Sequence, residues 1–245
     1  MNLGVFAYNF PHKKTQEGLF RLLIEGYQPK CILAADPVEL SFYQSKIRVA
    51  PKGLQYVHPQ IIAERLGIPY HVVAHNSPEA RDLITNYCLD LGVILGARII
   101  AEDIIRTFSC GILNLHPGLL PQNRGLDNIK WAVLNGIRQG ASAHLIERKI
   151  DKGNLICKRS VDVFEDDSLV DILLRVQSME LTLMGEALKM VCSGQRDFPR
   201  VLDGPYFKAV PPDLEATFFD KFAQYKSDYP SLPREDGLEQ RVDVK

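Results

Sequence analysis

The sequence predicts an α/β fold: a doubly wound, mostly parallel sheet with a short C-terminal appendage. Three observations lead there. Short, nearly continuous apolar runs (Leu3–Tyr8, Lys30–Ala35, Gly92–Ala97) read as strands covered on both faces. Segments with apolar residues at i, i+3 and i+4 alternate with these runs through residues 1–90. The 245 residues and an apolar fraction of 46% provide for one full core, placed over residues 1–195, with residues 196–245 as the appendage.

The elements follow in order. After the strand Leu3–Tyr8, the loop Asn9–Lys14 leads to Thr15, placed to cap a helix carrying Leu19, Leu22 and Leu23. Lys30–Ala35 is the second strand, ended by Asp36-Pro37. Residues 41–60 mix aromatic and basic side chains with Pro and Gly and read as a long loop or a short strand over a pocket. Ile61–Leu66 is a short helix and Tyr70–Ala74 a third strand. Ser77–Leu91 is a helix with Ser77 as its cap and Pro78 in its first turn. Gly92–Ala97 is the fourth strand, and the chain turns at Arg98-Ile99-Ile100 into a short helix, Ala101–Phe108.

Gly111–Leu115 is the fifth strand, and Pro117, Gly118 and Pro121 break regular structure after it. A helix starts near Asp127, with Ile129, Trp131–Leu134 and Ile137 as its apolar side. Strands Ala141–Ile146 and Leu155–Cys157 flank the loop Glu147–Gly153, and a parallel sheet is expected across residues 1–190. Ser168 caps a long helix reaching Cys192. Leu214–Tyr225 reads as one amphipathic helix, with residues from Pro230 onward loose.

Composition excludes several function classes. A net charge of −1 disfavours a bulk electrostatic binder of nucleic acid or membrane surface. No apolar run approaches the ~20 residues of a membrane span, and the N-terminus does not read as a signal peptide. Five scattered cysteines without paired spacing suit reduced thiols in a cytoplasmic protein, and no ligand spacing suggests a metal. No Gly-rich turn follows the first strand, which disfavours a dinucleotide site.

Candidate chemistry gathers at the end of the fifth strand. Asn114 and His116 share a face there, at the sheet edge where doubly wound proteins bind ligands, and Asp151 lies in the loop after the next strand. An amide can donate to a developing oxyanion, an imidazole can take an amine proton, and a carboxylate can orient that imidazole. On the residues alone, a capping Asn, a hydrogen-bonded turn His and a turn Asp account for the pattern equally well. His12-Lys13-Lys14 at a helix start is either a solvated basic turn or an anion site for a substrate phosphate. His71 and His75, beside the third strand, read as structural or surface residues.

The order Asn114-Leu115-His116-Pro117-Gly118-Leu119-Leu120-Pro121, then Arg124-Gly125, then Trp131-Ala132, then Ala141–His144 and Asp151-Lys152-Gly153, resembles the folate-dependent formyltransferase family. The resemblance is close over residues 92–160 and looser over the rest of residues 1–190. It departs from the family pattern at Gly118, where Ser is commoner, and at Ala141-Ser142-Ala143, where a Gly-Val-Thr type of stretch is usual. By resemblance Asn114, His116 and Asp151 match the catalytic Asn, His and Asp. Gly96, Arg98, Ile99, Ile100, His144 and Ile150 match folate-contacting positions, and Arg124 and Gly125, with Lys13 and Lys14, are the candidate contacts to the acceptor.

The resemblance implies transfer of the formyl group of 10-formyltetrahydrofolate to a small, phosphorylated amine such as an amino sugar nucleotide, without a metal. Hydrolysis of formyltetrahydrofolate is an alternative, but that branch usually carries an N-terminal regulatory domain, and this chain opens on the first strand. A glycinamide-ribonucleotide-type enzyme is another, disfavoured because the loop after strand one lacks that group's Gly-Ser-Asn motif. A folate-binding protein without turnover is a third. Too little chain follows residue 195 for the β-barrel of methionyl-tRNA formyltransferases. A homodimer is left open.

Overall fold

The computed structural model describes residues 1–39 and 45–233. Part of the expected loop or strand over residues 41–60 therefore lies outside the described residues. Seven strands form one sheet: β1 (Leu3–Tyr8), β2 (Cys31–Ala35), β3 (Tyr70–Val72), β4 (Leu91–Ile94), β5 (Ile112–His116), β7 (Gly140–Ile146) and β8 (Gly153–Ser160). Their order is β3-β2-β1-β4-β5-β7-β8. The first five are parallel, so the doubly wound part of the expectation holds.

The parallel reading does not extend to residue 160. β7 runs antiparallel to β5, and β8 antiparallel to β7. Between Ile146 and Gly153 the chain has too few residues for a crossover, which takes about a dozen, so the two strands close as a hairpin. That hairpin's loop carries Asp151.

Helices α1 (Lys13–Ile24), α2 (Pro59–Leu66), α3 (Pro78–Asn86), α4 (Glu102–Ile105), α5 (Asn128–Asn135) and α6 (Leu169–Cys192) connect and cover the strands. Alternation within the strands sorts the core into two layers. Val5, Ala7, Ile32 and Ala34 pack with Leu19 and Leu22 of α1 and Leu183 and Met184 of α6. Phe6, Cys31 and Leu33 pack on the opposite side with Ala80 and Ile84 of α3 and Ile104 of α4. Both faces are covered, which is why β1 and β2 read as unbroken apolar runs.

Element ends differ where local chemistry outweighed periodicity. Thr15 does not cap α1; it lies buried inside the helix, its hydroxyl donating to Leu95 O at 3.1 Å. The helix begins at Lys13. Ser77 does cap α3, but the helix ends at Asn86, before Cys88 takes a positive φ of 49°. Ser168 forms a full capping box with Asp171 at the start of α6, as the sequence suggested.

The described part of the appendage, residues 196–233, packs on the core, and most of the stretch expected to be loose from Pro230 onward lies outside the described residues. The appendage's expected single helix is two: α7 (Pro212–Glu215) and α8 (Phe218–Asp228). Phe218, Phe222, Tyr225 and Tyr229 join the core layer that contains α6. Tyr229 is fully buried, donating to Val161 O and accepting from Gln139 N, and Arg138 holds Leu232 O at 3.0 Å. Upstream, β9 (Tyr206–Phe207) pairs with β6 (Arg124–Gly125) in a separate two-stranded sheet. The appendage thus reaches the loop that follows β5.

Candidate active site

β5 delivers Asn114 and His116 to the C-terminal sheet edge, and the β7–β8 loop returns Asp151 to them. His116 Nδ1 lies 3.4 Å from Asp151 Oδ1, with only 4% and 10% of the two side chains exposed. The other ring nitrogen, Nε2, is 2.7 Å from Asn123 O. A carbonyl can only accept, so Nε2 carries a hydrogen and donates to Asn123 O, while Nδ1 faces the Asp151 carboxylate. The Asn123 carbonyl holds the imidazole from one side, and Asp151, to which the sequence reading gave the orienting part, faces it from the other. Asn128 donates to the same carbonyl at 2.9 Å, and Asn123 Nδ2 donates to Asn128 O at 2.8 Å.

This cluster gives a reason for the departure at Gly118. A Cβ there would meet Asn123 O at 2.7 Å and His116 Nε2 at 3.1 Å. The space a serine would need is taken by the hydrogen bond that fixes His116.

Asn114 is held from across the strand. It pairs in register with His144, whose Nε2 accepts from Asn114 Nδ2 at 3.2 Å. His144 Nδ1 donates to Lys152 O at 3.2 Å. Burial pushes the His144 pKa down to about 4, with the neighbouring His116 adding to the effect and Asp151 opposing it. A neutral His144 can accept from Asn114, so the amide's oxygen cannot rotate into that position and an N–H remains for the cleft. His144 itself is 0% exposed and cannot touch a ligand. Its expected folate contact is corrected to a role behind Asn114.

Asp151 occupies an unusual backbone position, with φ at 50°. An aspartate tolerates the left-handed region better than most residues. Its Oδ2 accepts the Gly125 N–H at 2.8 Å. Arg124, buried, donates Nε to Asp151 O at 3.1 Å, Nη2 to Ile150 O at 2.8 Å and Nη1 to Gly204 O at 3.0 Å. Arg124 and Gly125 were expected to contact the acceptor; instead their donors clasp the Asp151 loop and tie it to the appendage. Nothing in the sequence pointed to Gly204, because the partner is its carbonyl and not a side chain.

Asn114 and Asp151 line one side of a cleft of about 190 Å³. Arg98, Ile99, Ile100 and Ile150, the expected folate contacts, line it too, together with Ile94 and Ile146. Gly96 does not. It is buried, and a Cβ there would meet Tyr8 N at 3.0 Å, so its contribution is close packing against β1.

Lys13 and Lys14 are also placed differently from expectation. Lys13 Nζ pairs with Glu17 at 2.6 Å. Lys14 Nζ lies between Leu115 O at 2.6 Å and the buried Glu180 of α6 at 2.8 Å. Lys13 thus pairs within α1, Lys14 ties α1 to β5 and α6, and a phosphate would have to displace an existing ion pair. His71 and His75 are structural, as read: His71 contacts the Tyr87 hydroxyl at 2.9 Å, and buried His75 contacts Leu33 O at 3.0 Å. Among the described residues no cluster of His, Cys, Asp or Glu could hold a metal ion, and no helix is long and apolar enough to cross a membrane.

Asn114, His116 and Asp151 thus meet at one sheet edge beside an apolar cleft. Residues 43–188 match the family model described as formyl transferase, and the chain belongs to that family. It is 25% identical over 185 residues to methionyl-tRNA formyltransferase of Caldanaerobacter subterraneus, covering 72% of this chain and 56% of that protein. It is 35% identical over 128 residues to phosphoribosylglycinamide formyltransferase of Escherichia coli, covering 48% of this chain and 60% of that one. The chain thus spans less than two thirds of either relative.

Among solved structures the fold matches glycinamide ribonucleotide transformylase 1 of Symbiobacterium toebii (TM-score 0.62, 21% identity, 83% of this chain and 94% of that one). It also matches a sugar N-formyltransferase of a Shewanella species (TM-score 0.60, 18% identity, 88% and 79%).

Proposed function

We propose that this protein is an N-formyltransferase that moves a formyl group from 10-formyltetrahydrofolate to the amine of a small acceptor such as an amino sugar nucleotide. The observation that carries the reading is the convergence of Asn114, His116 and Asp151, each held by a partner that fixes its orientation. The cleft supports the folate: its Ile94, Ile99, Ile146 and Ile150 walls suit a flat bicyclic ring, with backbone groups of the Arg98–Ile100 segment for the ring's edges.

When bound, the folate supplies a formyl carbon activated on nitrogen. Asn114 donates its free N–H toward the oxygen on which negative charge develops as the amine adds. The proton lost by the amine would be carried by the Asp151–His116 pair, with Asp151 facing the cleft and His116 Nδ1 holding the proton beside the carboxylate. It would pass to the donor nitrogen of the folate as its bond to the formyl carbon breaks and tetrahydrofolate leaves. The Asn123 carbonyl keeps the ring from turning while Nδ1 is charged. No step draws on Lys13 or Lys14, so an acceptor phosphate has to be held elsewhere.

The test is a turnover assay with 10-formyltetrahydrofolate and a panel of amino sugar nucleotides, following both the deformylated folate and the formylated amine. Stoichiometric appearance of both is the expected result. Folate release without an N-formyl product would make water the acceptor. Folate binding with neither product would leave a binding protein.

A further inference from the structure

The end of β5 runs past its parallel neighbour, and a lysine takes the neighbour's place. In the β4–β5 ladder Gly92 N donates to Gly111 O at 3.1 Å, and the register runs through Val93 and Leu113. Alternate residues of a strand turn their carbonyls the same way, so Leu113 O and Leu115 O face β4 as Gly111 O does. Continued in steps of two, the ladder would bring Gly96 N to Leu115 O. The chain leaves it before that point: Leu95 N and Gly96 N both turn to Phe6 O of β1, each at 3.0 Å. Leu115 O is met instead by Lys14 Nζ at 2.6 Å.

Leu115 stands between Asn114 and His116, and its carbonyl belongs to the peptide group that continues into His116. β7 holds this stretch along its other edge, in register with Leu113, Asn114, Leu115 and His116. Lys14 thus fixes the strand end from the side opposite β7. The lysine is itself held firmly. Glu180 of α6, its side chain 5% exposed, accepts from Nζ at 2.8 Å. Thr15, the next residue of α1, donates to Leu95 O at 3.1 Å, which pins the helix start where the chain bends away from β5. An ammonium has three hydrogens, so one can meet the carboxylate and another the carbonyl. A bond from a charged donor is also shorter and stronger than the backbone N–H it replaces.

We propose that Lys14 is a positioning residue for the candidate site. Its ammonium stands in for the missing strand donor and sets the strand end that aims Asn114 and His116, and Glu180 neutralises it. Removing that donor misplaces the two groups and leaves the isoleucine walls of the cleft where they are. The effect on turnover rests on the formyl-transfer reading; the effect on His116 rests on the geometry alone.

Lys14→Met by itself leaves Glu180 buried without a counter-ion and is expected to fold poorly. The informative variant is Lys14→Met with Glu180→Met, which replaces the pair by apolar side chains of similar volume and keeps the unfolding midpoint near that of wild type. Its turnover number should fall roughly 10- to 100-fold, the scale of a small misplacement of reacting groups, while the Michaelis constant for 10-formyltetrahydrofolate holds. Glu180→Gln, which keeps an acceptor for Lys14, should retain turnover. If the methionine pair unfolds, Lys14→Gln with Glu180→Gln withdraws the ammonium yet keeps a polar contact, and the same loss is expected. Wild-type turnover in a folded double variant overturns the proposal. So does a fall in turnover matched by an equal rise in that Michaelis constant, which would mean a general loss of the site.

A second measurement does not use turnover. The chain has six histidines, few enough for separate imidazole signals in protein labelled with nitrogen-15 at histidine. In the methionine pair the His116 signals should shift, while those of His71 and His75, held by contacts elsewhere, stay. Unmoved His116 signals overturn the positioning role. If the wild-type enzyme formylates no amine, the formyl-transfer reading fails, and shifted His116 signals still support the placement.

Discussion

The two halves of the sheet are held by different physics. From β3 to β4 the strands are parallel and packed between two apolar layers. From β5 to β8 the candidate site is held by directional hydrogen bonds, several of them to main-chain carbonyls: His116 to Asn123 O, His144 to Lys152 O, and Arg124 to three more. The first arrangement is tolerant, because apolar contacts are non-directional and volume-conserving swaps are absorbed. The second is directional, and each lost donor leaves a buried carbonyl without its partner. Truncating a buried side chain in the first half should therefore cost stability alone, whereas removing a donor in the second should cost chemistry as well.

The largest effect is expected from the active-site groups. His116→Ala and Asp151→Asn should each lower turnover by roughly 10²–10⁴-fold, with folate binding retained. Near-normal turnover in either variant at saturating substrate would remove that residue from the mechanism. The matching perturbation in the parallel half is Leu33→Ala, in a fully buried strand position. It should cost about 2–5 kcal/mol of stability in denaturant unfolding, while turnover of the folded enzyme stays close to wild type.

A third experiment uses pH. Unfolded, His144 takes up a proton near its ordinary 6.5; folded, it does so only near 4. The unfolded chain then binds more protons between those values, so stability is complete above about 6.5 and falls as pH drops toward 4, by up to ~3 kcal/mol. His144→Gln should flatten this part of the stability profile. An unchanged slope would place the pH sensitivity in other groups, such as His12 and His75, whose pKa values burial also lowers.

Arg124→Lys sharpens the comparison further. A point charge cannot serve three carbonyls at once. We expect a loss of about 1–3 kcal/mol in stability, with turnover falling about tenfold or more as the Asp151 loop relaxes. Proteolysis should quicken between residues 200 and 210, where Gly204 loses its donor. If the variant kept wild-type turnover, the clasp would be structural only. The smallest effect is reserved for Lys13→Ala. Its i,i+4 pair with Glu17 is partly exposed, so stability should change by no more than ~0.5 kcal/mol, and the acceptor Michaelis constant should not move. A rise in that constant would restore the phosphate contact.

Sequence alone determined what depends on local chemistry. Buried strands read from their apolar runs, α6 from its stripe and its Ser168 cap, and the positions of Asn114, His116 and Asp151 from a motif at fixed spacing. Ile99 and Ile100, in the turn just after β4, were singled out for the same reason, whereas Ile94 and Ile146 joined the cleft only through the fold. Tertiary structure decided whatever depends on partners distant in the chain. His144 left the ligand list because the β5–β7 register places it behind Asn114. Lys14 left it because Glu180, 166 residues later, faces it across the α1–α6 contact. Asn123 O and Gly204 O entered the candidate site through their backbones, which carry no residue-specific signal. Type and spacing report which groups are present; only the folded chain sets which donor meets which acceptor, because those contacts join segments far apart in sequence.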